Sequence, residues 1–175
     1  MPITTDKLNR SIAQRVVDDI AAVAAHGSTV AILGLSYKPH SHVIEESQAM
    51  QIIKALVDRQ YRVVGYDPLA GGPANQELVG RALIFDSIAS CLEDADVVLI
   101  ANADPAFKTL TAEHFRRGTR QVTVIDFWRY LAPALTGAPG INYVRYGCGP
   151  DLAESADGPL SALWAATAAS FLESV

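Results

Sequence analysis

Val30-Ala31-Ile32-Leu33-Gly34-Leu35-Ser36-Tyr37-Lys38-Pro39 begins as an unbroken apolar run and ends in a turn. Apolar residues without alternation belong to a strand buried on both faces, and the glycine after them marks its exit from the sheet. Open α/β sheets bind ligands in the crevice outside the carboxyl ends of their strands. Lys38 therefore sits where a flexible cation meets a phosphate, with Ser36 and Tyr37 beside it.

Outward from this strand, periodicity alternates between helix and buried strand. Leu8, Ile12, Val16, Ile20 and Val23 recur every three or four residues and predict an amphipathic amino-terminal helix closing at His26-Gly27. A second helix over 48–59 carries Met50, Ile53, Leu56 and Val57 on one face. The β-branched and aromatic run 61–66 follows as a strand ending at Asp67-Pro68. Ala70-Gly71-Gly72-Pro73-Ala74-Asn75 reads as a turn-rich loop. Strands over 82–85, 96–101, 121–126 and 141–146 are then separated by helical segments near 87–93 and 105–115 and by a loop containing Pro133, Gly137 and Pro139.

Six strands alternating with helices predict an α/β fold, a three-layer Rossmann-like, open, mostly parallel six-stranded sheet with helices on both faces. The expected organisation is an amino-terminal helix in 1–28 packing on or leading into the domain, the Rossmann-like domain in 29–150, and a helical extension in 151–175. In that extension Trp164 and Phe171 need a surface to cover, either the domain's own sheet or another subunit, so a homo-oligomer is expected.

Composition narrows the partners. Of 175 residues, 50% are hydrophobic and 19% charged, which suits a covered α/β core. A net charge of -5, with no aromatics interleaved among basic clusters, argues against nucleic acid. No apolar stretch is long enough for a membrane span, and the polar start lacks a secretory apolar segment, so a cytoplasmic location is expected. Cys91 reads as core, whereas Cys148 between two glycines has no identifiable partner base. No metal is expected: His40-x-His42 is two imidazoles with no third ligand nearby, and reads as a polar rim with Glu45 and Glu46.

A dinucleotide turn needs Gly-x-Gly-x-x-Gly so that pyrophosphate can approach backbone amides. Only Gly34 is present here, so the turn is not an ordinary NAD fingerprint. Asp67 stands where related folds place a ribose-binding acid, and equally where an Asp-Pro turn uses its own side chain to bond nearby amides.

Leu33-Gly34-Leu35-Ser36-Tyr37-Lys38-Pro39, Glu46-Ser47, Tyr66-Asp67-Pro68, the 95–100 strand followed by Phe107, Val124-Ile125-Asp126, and Tyr143 to Gly149 occur together in order. In this they resemble the carboxy-terminal, UDP-binding domain of the UDP-glucose/GDP-mannose dehydrogenase family over roughly residues 9–150. The resemblance implies a nucleotide-sugar pocket, for a ligand such as UDP-glucose, lined by Tyr37, Lys38 and Arg129, with Ser36, His42, Glu45 and Asp67 at its rim. It also implies NAD, through an amino-terminal domain that these residues do not include, and a thioester-forming cysteine that Cys148 does not match. Glu45 replaces the family arginine that reaches NAD, and Phe127-Trp128-Arg129 replaces Gly-Arg after Asp126. The expectation is a binding domain that has no catalytic residue or bound cofactor of its own. Its alternatives are one half of a split dehydrogenase completed by a partner chain with an NAD domain, and a non-catalytic structural or regulatory oligomerisation protein.

Overall fold

The computed structural model describes residues 3–146, with side chains from Ser11 onward. Cys148, the end of the Tyr143–Gly149 motif and the Trp164/Phe171 extension lie outside the described residues. In chain order the elements are α1 (Ile3–Val23), β1 (Thr29–Leu33), α2 (Gln48–Asp58), β2 (Arg62–Tyr66), α3 (Gly71–Glu77), β3 (Leu83–Ile84) and α4 (Ile88–Leu92). They continue with β4 (Val97–Ile100), a 3₁₀ turn (Pro105–Thr109), α5 (Ala112–Phe115), β5 (Val122–Asp126), α6 (Ala132–Leu135) and β6 (Ile141–Arg145).

The sheet runs β3-β2-β1-β4-β5-β6, and every neighbouring pair is parallel. The order reverses between β1 and β4, where successive crossovers pass to opposite faces and leave a crevice at the carboxyl edge. Alternation along the central strands separates two cores. Val30, Ile32, Val97, Leu99 and Ile125 face the layer of α1, α2 and α3, while Ala31, Leu33, Val98, Ile100 and Val124 face α4, the 3₁₀ turn, α5 and α6. Each fully buried Leu or Ile contributes about 1.5–3 kcal/mol relative to exposure. These two continuous apolar layers thus hold β1 and β4 together from both sides.

Some local features differ from what the sequence pattern predicts. On α1 the buried stripe is Ala13, Val16, Val17 and Ile20, whereas Ile12 and Val23 are 38% and 48% exposed. Ala13, Val16 and Ile20 belong to the core layer shared with α2, and Ile12 and Val23 fall outside that stripe. The glycine-rich 70–75 stretch is not a loop but the start of α3. Pro73 falls in its first turn, where no amide is needed, and Ala74 and Leu78 are buried beneath it. The 105–115 helix is instead two short pieces. Asp104 caps the first by accepting from the Ala106 amide at 2.9 Å, and buried Phe107 and Phe115 pin them to the sheet. Residues 131–135 likewise turn helical under buried Leu131 and Leu135.

At the amino edge, Asp96 accepts from the Thr29 amide at 2.9 Å and pairs with Arg120 at 3.4 Å, tying the starts of β1 and β4. His26 stacks on Tyr61 with ring centroids 5.9 Å apart and so joins the α1–β1 turn to β2.

Burial pushes the Cys91 thiol up to about 12. Because the neutral form is favoured in the fold, its contribution to stability is complete below the thiol's ordinary 9.0 and is lost as pH rises through about 12. Cys91 should therefore resist iodoacetamide in the native protein at pH 8 and react on denaturation, with the labelled site read by peptide mass. Rapid native labelling of Cys91 would contradict this packing.

Candidate functional site

The carboxyl edge at the β1–β4 reversal is built from four loops that bind one another. Gly34 leaves β1 with φ of 92°, and a Cβ there would lie 2.4 Å from Asn102 Cγ and Oδ1 and 2.9 Å from its backbone N. Glycine alone accommodates both the backbone angle and that approach. Asn102, just beyond β4 and 4% exposed, donates from Nδ2 to Ser36 Oγ at 2.9 Å and accepts from the Asp104 amide on Oδ1 at 3.1 Å. The loops after β1 and β4 are thereby joined across the switch point.

Asp67 locks the other side. Its Oδ2 accepts from the Leu35 amide (2.8 Å), the Ser36 amide (3.0 Å) and Ser36 Oγ (3.0 Å), and its Oδ1 accepts from the Leu69 (2.9 Å) and Ala70 (2.8 Å) amides. A carboxylate removed from water needs such donors, because nothing else offsets its desolvation. Ser36 and Asp67, both expected at the pocket rim, lie beneath it at 5% and 6% exposure. Their polar atoms are engaged internally and shape the loop from below.

Above this base the chain turns outward. Tyr37 donates its amide to Val43 O at 2.8 Å and closes a loop in which Ser47 Oγ holds Leu35 O at 2.7 Å. Tyr37 is 62% exposed, and Lys38 beside it is exposed and makes no ion pair among the described residues. His42 and Glu45 come together on the same loop. They line an open groove of about 510 Å³ with Pro73, Gln76 and Glu77, so this part of the loop leans toward α3. Glu45 reaches back to accept from the Ile44 amide at 3.2 Å. Among the described residues no group of three or more His, Cys, Asp or Glu side chains stands together as a metal site.

Arg129 belongs to the loop after β5, separated from β1 by β4. Asp126, fully buried, repeats the device of Asp67. Its Oδ1 accepts from the Trp128 (2.9 Å) and Arg129 (2.8 Å) amides, and its Oδ2 from the Leu131 amide (2.9 Å) and Tyr143 Oη (2.9 Å). Burial first, and then the bond to Asp126, raise the Tyr143 phenol above its ordinary value. Arg129 is held at φ of 58°, and this exposed guanidinium follows an exposed indole.

Asn102 is the site residue that sequence patterning missed. It is the first polar residue after the apolar run 97–101, and extending the β1–β4 register past Leu33–Ile100 sets it opposite Leu35, one residue from Gly34. An open groove of about 530 Å³ between α1 and α2, lined by Ala13, Gln14, Glu46, Gln51, Lys54 and Asp58, is on the flank of the domain rather than at this edge.

Comparisons with known proteins bear on the family and the fold. Residues 31–133 match the sequence profile of the UDP-glucose/GDP-mannose dehydrogenase family, UDP binding domain. UDP-glucose 6-dehydrogenase of Rickettsia conorii is 28% identical over 145 residues, covering 81% of this chain and 34% of that protein. UDP-glucose 6-dehydrogenase AglM of Haloferax volcanii is 35% identical over 117 residues, covering 67% of this chain and 26% of the relative. Among solved structures, the UDP-N-acetyl-mannosamine dehydrogenase Cap5O of Staphylococcus aureus superposes with a TM-score of 0.60 at 25% identity, over 81% of this chain and 32% of that one. GDP-mannose dehydrogenase of Pseudomonas aeruginosa gives a TM-score of 0.59 at 20% identity, over 75% of this chain and 30% of that one, and shares the fold. The chain thus spans a quarter to a third of the length of these relatives.

Replacing Asp67 with Ala should cost about 3–5 kcal/mol, because buried amides of two loops lose their acceptor together. Asp67→Asn, which keeps one acceptor oxygen, should lose less. Urea denaturation of both variants measures this, and an Ala variant as stable as the native protein would remove Asp67 from its structural role.

Proposed function

This chain belongs to the UDP-glucose/GDP-mannose dehydrogenase family, matching its UDP binding domain, and we propose that it binds the nucleotide diphosphate of a UDP-sugar at the β1–β4 switch point. The observation that carries this reading is Lys38. Its ammonium, which makes no ion pair among the described residues, stands at the crevice of a doubly wound sheet, on a loop whose base is immobilised by Asp67, Ser36 and Asn102. Preorganisation of that loop lowers the ordering cost of binding. Lys38 takes a phosphate oxygen as a point charge, Tyr37 offers an aromatic face beside it, and Arg129 supplies a second cation from the β5 loop.

Glu45 supports a division of labour. At the position of the family arginine, its carboxylate repels a second pyrophosphate instead of gripping it. Oxidation of the sugar with NAD would then need a further nucleotide-binding unit with its own reactive groups.

Titration calorimetry with UDP, UDP-glucose, UDP-glucuronate and GDP-mannose tests the proposal. At least one UDP ligand should bind, binding should weaken as salt screens the phosphate, and Lys38→Ala should weaken it about 10- to 100-fold through loss of a charge-assisted contact. Absence of heat with all four ligands would overturn the reading.

A further inference from the structure

Trp128 is a large aromatic side chain at the carboxyl edge to which the family reading gives no task. It is 48% exposed, yet its position is over-determined. Its amide is held by Asp126 Oδ1 at 2.9 Å, and its indole Nε1 donates to Ala101 O at 3.3 Å. That second bond lays the ring over the end of β4 rather than over its own strand, one residue from the Asn102 that touches Gly34 and Ser36. Tyr130 reaches the same loop, donating to Ala103 O at 3.3 Å, and Lys108 lies 4.4 Å above its ring. An indole that only filled space would turn its faces to the core. This one spends its polar edge on the loop and leaves apolar surface open at the crevice.

We propose that Trp128 is a ligand-contacting residue of the switch-point site, its indole face stacking on one ring of the bound nucleotide sugar. The inference rests on the reading that this crevice binds such a ligand. β1 and β5 are two strand spacings apart, roughly 10 Å. A nucleotide sugar has a ring at each end of its pyrophosphate, so with the phosphates at Lys38 one ring is directed toward β5. The heterocyclic base offers a flat π face and the pyranose a face of C–H groups, and either can lie on an indole.

The test uses the full chain carrying Trp164→Phe, which leaves Trp128 as the sole tryptophan, since the sequence contains two. Titration with UDP or UDP-glucose should change its fluorescence and shield it from acrylamide. Trp128→Ala should bind roughly 5- to 150-fold more weakly, the range expected for losing one stacked ring. Trp128→Phe, which keeps a stacking face, should bind within a few-fold of the parent and guards against misfolding as the cause. A loss shared by UDP and UDP-glucose assigns the base as the stacked ring; a loss confined to UDP-glucose assigns the sugar. If the parent binds and Lys38→Ala weakens it while Trp128→Ala and the fluorescence are unchanged, the stacking role is overturned and nucleotide-sugar binding stands. If the parent binds none of the ligands, both fall.

Discussion

The ionised carboxylate of Asp67 has no cation beside it among the described residues and is held by backbone and hydroxyl donors. Taking such a charge out of water is costly, and the donors that offset the cost come from the loops after β1 and β2. Their positions are consequently linked. The turn that carries Tyr37 and Lys38 cannot shift without breaking the solvation of Asp67, and the start of α3 is fixed by the same side chain.

Asp126 applies the same physics three strands away, with Tyr143 supplying the hydroxyl that Ser36 supplies to Asp67. Between them, Asn102 joins the β1 and β4 loops, and it does so only because Gly34 has no side chain. The carboxyl edge is therefore a rigid base of satisfied polar groups. Exposed Tyr37, Lys38, Trp128 and Arg129 follow that base in the chain, and under the proposed reading these are the groups that meet the ligand. Binding in such a site demands little reorganisation, because the ordering of the loops is already complete in folding.

Much of this was legible in the chain. The unbroken apolar runs ending at Gly34 and Ile100 mark strands buried on both faces, and their alternation with helical periodicity admits few topologies. The Gly34–Pro39 motif and Tyr66-Asp67-Pro68 pointed to the family that the profile match then showed. Where local reading failed, tertiary burial overrode propensity. Gly71-Gly72-Pro73 has loop composition, yet Ala74 and Leu78 draw it into a helix against the sheet. On α1 the core is met by Ala13, Val16, Val17 and Ile20 while Ile12 falls outside that stripe, because packing against the rest of the fold sets which face turns inward.

The sequence by itself determined the layer architecture and the placement of Lys38 at the end of a buried strand, because hydrophobic period and glycine punctuation are local properties. Which polar residues form the base of the site, and which face the crevice, was decided only by the tertiary structure. Asp67, Ser36 and Asn102 are ordinary loop residues until parallel pairing of β1 with β2 and β4 brings their strand ends together. His42 and Glu45, close to Lys38 in the chain, meet Pro73, Gln76 and Glu77 of α3 across a groove that only the folded loop creates. Hydrogen bonding among residues 31 to 66 positions apart cannot be read from spacing, since it exists only after burial has removed water as the competing partner.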